Sequence, residues 1–174
     1  PTAFKHVGLF PEQASNWKWM KNLISGQKSE EINVLNLFGY TGGATLACAQ
    51  AGAKVAHVDG SKAALTWARD NATLSGLEKK PVRWLLDDAR AFVKREIKRG
   101  VKYHGIIMDP PAFGHGPENE VWKIEDDVVP LVEACVELLA DKPLFFLING
   151  YAAGYSSIAY ENVLKPLVAK FGGS

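Results

Sequence analysis

Short apolar runs rich in β-branched residues alternate along this chain with stretches whose apolar residues recur every three or four positions. The first run, residues 32–38 (INVLNLF), is closed by glycines at positions 39, 42 and 43. Behind it Ala44, Ala47, Cys48 and Ala51 share one helical face, and Gly52 ends the pattern. A second strand is predicted over 54–58, ending at Asp59. Ser61 then stands as the N-cap of a helix over 62–74, which Gly76 terminates. The third strand, 82–86, ends at Asp87 and Asp88. Ala89, Phe92, Val93 and Ile97 mark the inward face of the next helix, up to Gly100. Strand four, 104–108, runs into Asp109-Pro110-Pro111. A long polar loop over 112–126 leads to a helix with Leu131, Ala134, Cys135, Leu138 and Leu139 inward, and strand five covers 144–148. A last helical pattern, 158–164, meets Pro166, a residue poorly suited to a helix interior because it lacks the N–H donor.

Such strict alternation predicts an α/β fold: a doubly wound, Rossmann-like, mostly parallel sheet with right-handed crossovers. Residues 1–30 stand outside the alternation and read as an appended arm across the rim of the sheet, with the main domain over 31–174. The composition suits one globular domain: of 174 residues, 47% are hydrophobic, enough apolar surface to exclude intrinsic disorder. The densest apolar stretch, 144–148, is far below the roughly 20 residues that cross a bilayer, so no membrane partner is expected. A net charge of +1 provides no global field that would demand nucleic acid. Two cysteines without a CxxC pair argue against a disulfide framework and against bound metal. No secretory signal opens the chain, which predicts a cytoplasmic location, and a start at Pro1 suggests a fragment or a processed chain.

In open parallel sheets, ligands bind outside the carboxyl ends of the strands. Each predicted strand here ends in a glycine-rich or polar group: Gly39-Tyr40-Thr41-Gly42-Gly43, Asp59, Asp88, Asp109-Pro110-Pro111 and Asn149. The glycines let backbone pass close to a ligand, although the spacing is not that of a GxGxxG fingerprint; a plain strand-to-helix turn is the other reading. Asp59, twenty residues after Gly39, is placed to accept both hydroxyls of a ribose, or simply to cap a helix. Asp88, with Asp87 as its neighbouring rival, suits either an adenine amino group or a helix cap. Asp109-Pro110-Pro111-Ala112-Phe113 is the most telling string. Its two prolines remove two donors, leaving acceptors that face a substrate nitrogen or another hydrogen-bearing group, and Phe113 is placed to stack on a planar base.

Taken together, these residues resemble class I S-adenosylmethionine-dependent methyltransferases. GLFPEQ, VLNLFGYTGGATL, HVDGSKAALTWARDNATLSGL and DPPAFG are similar to the subgroup of large-subunit ribosomal RNA cytosine-C5 and guanine-N7 methyltransferases, over most of the chain. The resemblance implies S-adenosyl-L-methionine as cofactor and RNA as substrate. It implies that Phe38, Gly39, Tyr40, Thr41 and Gly42 line the methionine part. Asp59 holds the ribose with Gly60 and Ser61 beside it, and Asp88 takes the adenine end with Asp87 and Ala89. Asp109, Pro110 and Phe113 face the methyl-accepting group as the catalytic set, Asp109 also bordering the cofactor, while Phe10, Gln13 and Trp17 close over it. The family has seven strands, so a count of five implies a chain that stops before the terminal hairpin.

One departure bears on the chemistry. C5 methylation generally uses a cysteine that adds to the ring, yet Cys48 and Cys135 fall on inward helix faces away from the DPP loop, so N- or O-methylation stands equally open. His115 is a second proton acceptor by position, though a solvated loop histidine reads as well. The basic run Lys94, Arg95, Lys98, Arg99 and Lys102 is read as a solvated helix face rather than a phosphate stripe. Tyr151 and Tyr155 border the substrate side of strand five. Competing functions are a methyltransferase for a small molecule or protein, a nucleotide-linked dehydrogenase, which the missing GxGxxG disfavours, and a non-catalytic fragment that keeps the fold. The oligomeric state is not readable.

Overall fold

Strands β1 (Asn33–Leu37), β2 (Lys54–Asp59), β3 (Val82–Leu86) and β4 (Gly105–Met108) reproduce the first four predicted runs to within a residue. A computed structural model describes residues 8, 10–27, 31–150 and 156–172 of the chain. After β4 come two short strands, β5 (Phe113–His115) and β6 (Val121–Lys123), and then β7 (Phe145–Ile148), the fifth predicted run. The main sheet is parallel, in the order β3-β2-β1-β4-β7, so strand order reverses between β1 and β4. Alternate residues of the central strands serve two cores. Leu35, Leu37, Val58, Ile106 and Met108 pack with Phe92, Val93, Leu131, Val132 and Cys135 on one face. Val34, Val55, Ile107 and Phe145 pack with Met20, Ile24, Cys48 and Ala49 on the other. A strand covered on both sides reads as a continuous apolar run, which is why the sequence pattern marks the central strands.

The helices are α1 (Ala14–Ser25), α2 (Gly43–Gln50), α3 (Lys62–Leu74), α4 (Ala89–Lys98), α5 (Ile124–Glu137) and α6 (Ser157–Phe171). Ser61 caps α3 as expected, its hydroxyl accepting the Ala64 N–H. Other expectations are revised. Within the segment read as lying across the rim, α1 packs on α2 and buries Met20 and Ile24 in the sheet core. The buried side of α2 is Thr45, Cys48 and Ala49 rather than the alanine stripe at 44, 47 and 51. The 112–126 loop holds an antiparallel hairpin, β5–β6, whose three-residue strands are too short to show a period-2 pattern. Helix α6 continues through Pro166. Pro166 and Asn162, whose carbonyl loses its N–H partner there, both lie on the exposed side, where the carbonyl is not forced to be buried unpaired.

Glu96 is a further surprise, lying inside what reads as a basic surface run. It is 1% exposed. The Tyr103 hydroxyl donates to its Oε2 at 2.6 Å and Arg99 donates to Oε1 at 3.0 Å, with Arg83 at 3.6 Å. Burial, reinforced by the Glu96 carboxylate, pushes the Tyr103 phenol well above its usual range. Glu96→Ala would return the two exposed arginines to water but strand the Tyr103 hydroxyl. We expect a loss of about 1–3 kcal/mol of stability by urea denaturation, with Glu96→Gln losing less; an unchanged midpoint in the alanine variant would remove Glu96 from the account of stability.

Candidate active site

The carboxyl edge of the sheet opens into a cavity of about 670 Å³, within the range that holds a nucleoside-sized ligand. It lies where strand order reverses. The β1–α2 loop forms one wall under strain, since Phe38 (φ 57°) and Tyr40 (φ 48°) both occupy left-handed backbone that side-chain-bearing residues seldom adopt. What holds the loop there is a buried polar chain beneath it. The Asn36 amide donates to Thr45 Oγ1 at 2.8 Å, and that oxygen lies 2.8 Å from His57 Nδ1. The His57 ring fills the space directly under Gly39, where a Cβ would come within 2.4 Å of Cε1. Burial lowers the His57 pKa to about 4, against an opposing backbone contact from Tyr40, so the imidazole is neutral.

Asp59 joins the loops after β1 and β2. Its Oδ2 accepts the Tyr40 N–H and its Oδ1 the Ser61 N–H, each at 2.8 Å. Burial nonetheless leaves its carboxyl above the usual range, the backbone donors from Ser61 and Tyr40 only partly offsetting that. Asp88 caps α4 by accepting the Ala91 N–H at 3.0 Å, and both of its oxygens also accept from Arg90. Burial raises its carboxyl, but the Arg90 guanidinium and the Ala91 N–H outweigh this and hold it below its ordinary value. Asp87 pairs instead with Arg95 on the outer side of α4. The helix-cap reading of Asp88 is therefore realised, and the same side chain faces the cavity.

At the far end sits Asp109. Burial pushes its carboxyl up to about 6; a side-chain hydrogen bond with Asn149 opposes the rise and the charge of Glu12 adds to it. Of the acceptors that the DPP string and the residue after it offer, the Pro111 carbonyl is taken by Trp122 Nε1–H at 2.7 Å and the Ala112 carbonyl by the Ile124 N–H at 3.0 Å, while the Asp109 carboxyl borders the cavity. Phe113 is 56% exposed at the mouth of the cavity, with His115 edge-on to it at a centroid distance of 5.1 Å.

The cavity brings together Phe10, Phe38, Tyr40, Asp59, Gly60, Ser61, Asp87, Asp88, Ala89, Asp109, Pro110 and Phe113 from the sequence reading. Gln13, Trp17, Gly39 and Thr41 line a smaller adjoining crevice of about 50 Å³, which Asp109 and Asn149 also border. Gly42 lines neither and instead makes the left-handed turn (φ 88°) that starts α2. Trp17 lies across Gly43 at that turn. Two residues that no motif singled out, Trp122 and Arg90, tie the hairpin to the site. Tyr151 and Tyr155 lie outside the described residues. Both cysteines are buried, and burial raises each thiol, Cys48 to about 12, so neither is a nucleophile for ring addition. Within the basic run, Arg95 and Arg99 are spent on Asp87 and Glu96. Among the described residues no group of His, Cys, Asp and Glu has the arrangement of a metal site, and no helix is long and apolar enough to cross a membrane.

A family model for S-adenosylmethionine-dependent methyltransferases matches residues 3–162. The chain belongs to that family. Among its relatives, the ribosomal RNA large subunit methyltransferase K/L of Shewanella baltica is 33% identical over 141 residues, 80% of this chain and 19% of that protein. A methyltransferase from Agrobacterium tumefaciens superposes with a TM-score of 0.93 at 43% identity, over 97% of this chain and 53% of the other. A more distant methyltransferase, solved with S-adenosylhomocysteine, shares the fold at 24% identity and a TM-score of 0.74, over 91% of this chain and 40% of that one. The chain thus spans about a fifth of the length of the K/L relatives it matches.

The site fits the family's cofactor on its own geometry. The cavity has the volume, and Asp59 borders it with acceptor capacity to spare. The buried Tyr40 hydroxyl on its wall has no hydrogen-bond partner among the described residues.

Proposed function

We propose that this chain is the cofactor-binding and catalytic part of an S-adenosylmethionine-dependent methyltransferase acting on RNA, in the cytoplasm. The single observation that carries the reading is the continuous cavity from Asp59 to Asp109 and Phe113 along the carboxyl edge of the sheet. Asp59 would hold the ribose, Asp88 and Ala89 the adenine end, and Phe38 and Tyr40 the methionine part. Gly39, Thr41, Gln13 and Trp17 would line the crevice behind them, with the arm over residues 1–30 closing that side. S-adenosylmethionine supplies a methyl group on a sulfonium whose leaving group is a neutral thioether, so little acid catalysis is called for.

The work left to the protein is orientation, which is worth on the order of 7–11 kcal/mol when complete. Asp109 accepts a hydrogen bond from the nucleophile, and its raised carboxyl makes it a competent proton acceptor near neutrality. Pro110 and Pro111 present no donors that would compete for it. With both cysteines buried, the reading favours direct transfer to a nitrogen or oxygen over ring addition. RNA is supported by the K/L relatives and by the exposed Phe113, a stacking surface for a base.

Calorimetric titration with S-adenosylhomocysteine tests the reading. Binding near micromolar is expected, weakened by at least about tenfold in Asp59→Ala; a folded wild-type chain that binds none would defeat it.

A further inference from the structure

The hairpin β5–β6 is more than a loop at the mouth of the cavity. It folds back over the site: the His115 carbonyl and Gly116 Cα lie 3.0 and 3.2 Å from where a Cβ on Gly60 would sit, and a Cβ on Gly116 would lie 3.3 Å from Asp88 Cβ. Gly60 and Gly116 are thus the points where hairpin and cavity wall meet backbone to backbone. Phe38 packs on Trp122 from below at 4.8 Å between ring centroids. The hairpin reaches from the adenine end of the cavity, where Gly116 meets Asp88, to the mouth, where its own strand β5 carries Phe113 and His115.

Beside Trp122, a second side chain ties the hairpin to that wall with several hydrogen bonds. Arg90 donates through Nε and Nη2 to the two oxygens of Asp88, at 3.3 and 2.9 Å. Its Nη1 donates to the Val121 carbonyl in β6 at 3.0 Å and to Asp127 Oδ1 at 2.8 Å. The guanidinium also stands 5.9 Å over the Trp122 ring. Asp127 in turn accepts the Lys123 N–H at the end of β6, at 2.9 Å. A planar fork with several donors can engage a carboxylate, a carbonyl and a second carboxylate at once; an ammonium cannot reproduce that geometry.

We propose that Arg90 is a positioning residue that sets the hairpin over the cavity and thereby couples occupancy at Asp88 to the placement of Phe113 and His115. A ligand that draws on Asp88 changes the charge that Arg90 meets, and Arg90 passes the change to Val121 and Asp127. The hairpin then carries it to the mouth. The coupling rests on the cofactor reading above; the anchoring of the hairpin does not.

Amide hydrogen exchange on Arg90→Met separates the two. The variant keeps the aliphatic stem but loses every donor. In the ligand-free chain, amides tied within or beside the hairpin, such as Gly116 N–H to the Glu120 carbonyl and Ile124 N–H to the Ala112 carbonyl, are expected to exchange about tenfold faster than in wild type, while β1 and β4 amides keep their rates. Added S-adenosylhomocysteine should slow exchange in both the Gly60–Ser61 turn and the hairpin of wild type, but only in the turn of the variant. Arg90→Lys is expected to restore little of the hairpin protection. Unchanged hairpin exchange in ligand-free Arg90→Met overturns the anchoring, and equal ligand protection of the hairpin in variant and wild type overturns the coupling. If Arg90→Met does not fold, Asp127→Ala, which removes one acceptor of the fork, is judged on the same amides. Failure of wild type to bind S-adenosylhomocysteine counts against the proposed function and leaves the ligand-free comparison to decide the anchor.

Discussion

Asp109→Ala is expected to lower kcat by about 10²- to 10⁴-fold, with S-adenosylhomocysteine affinity changing far less. The residue lies between cavity and crevice at the end of β4, where β1, β4 and β7 fix its backbone and Asn149 is bonded to its side chain. In the proposed reaction it holds the nucleophile in line and receives a proton, and the second of these requires the ionised carboxylate. Since burial pushes that carboxyl up to about 6, the wild-type rate should fall as pH drops through about 6. Asp109→Asn separates the roles: the amide oxygen still accepts a hydrogen bond, so part of the orientation survives, but the acid limb of the profile disappears. Single-turnover methylation with labelled cofactor across pH 5 to 8 reads both effects. A wild-type rate in Asp109→Ala would remove Asp109 from the chemistry.

The parts of this site that stand at strand ends are legible in the sequence alone. A parallel strand buried on both faces is a conspicuous apolar run, and the residue that closes it is pinned to the carboxyl edge. Asp59, Asp109, Asn149 and the glycine loop were therefore placed by the strand pattern alone. What could not be read were contacts made across tens of residues. Trp122 meets the Pro111 carbonyl and Phe38 across a hairpin whose strands are three residues long, too short to carry a periodic signal. Arg90 follows two aspartates and looks like a solvated helix residue until Val121 and Asp127 are brought to it. Glu96 was hidden by its neighbours: Lys94, Arg95, Lys98 and Arg99 make the helix face look wholly exposed, while the position itself follows Phe92 and Val93 inward. Pro166 misled in the opposite sense, because the cost of a proline falls when the orphaned carbonyl faces water. The dual nature of Asp88, helix cap and cavity wall at once, was visible as two readings, and the geometry accommodates both.

The second large effect concerns stability, and it comes from two groups that pull in opposite directions. His57 is buried and neutral, its pKa lowered to about 4 from an ordinary 6.5. The unfolded chain takes up this proton first, so His57 contributes stability in full above about 6.5 and loses it as pH falls toward 4, by roughly 3 kcal/mol. Asp109 has the opposite sign: its raised carboxyl disfavours the folded state at neutral pH, and the penalty is relieved as pH falls from about 6 toward 3.8. Asp59, also raised, adds to the relief, whereas Asp88, lowered, loses its contribution only at the acid end as pH drops below 3.8. The groups nearly cancel between pH 6.5 and 4, and the wild-type urea midpoint should change little across that window. Asp109→Asn removes the compensating group, so its midpoint should be higher than wild type at pH 7 and fall steeply on acidification. His57→Gln, which keeps a polar partner for Thr45, should show the reverse slope, gaining stability toward pH 4. Parallel slopes in the three proteins would mean that neither burial controls protonation. Opposed slopes would show that each burial governs its own proton: His57 beneath Gly39 destabilises the fold once acid forces a proton onto it, whereas Asp109 costs stability near neutrality and is relieved by acid, so the two cancel in pH dependence across this window.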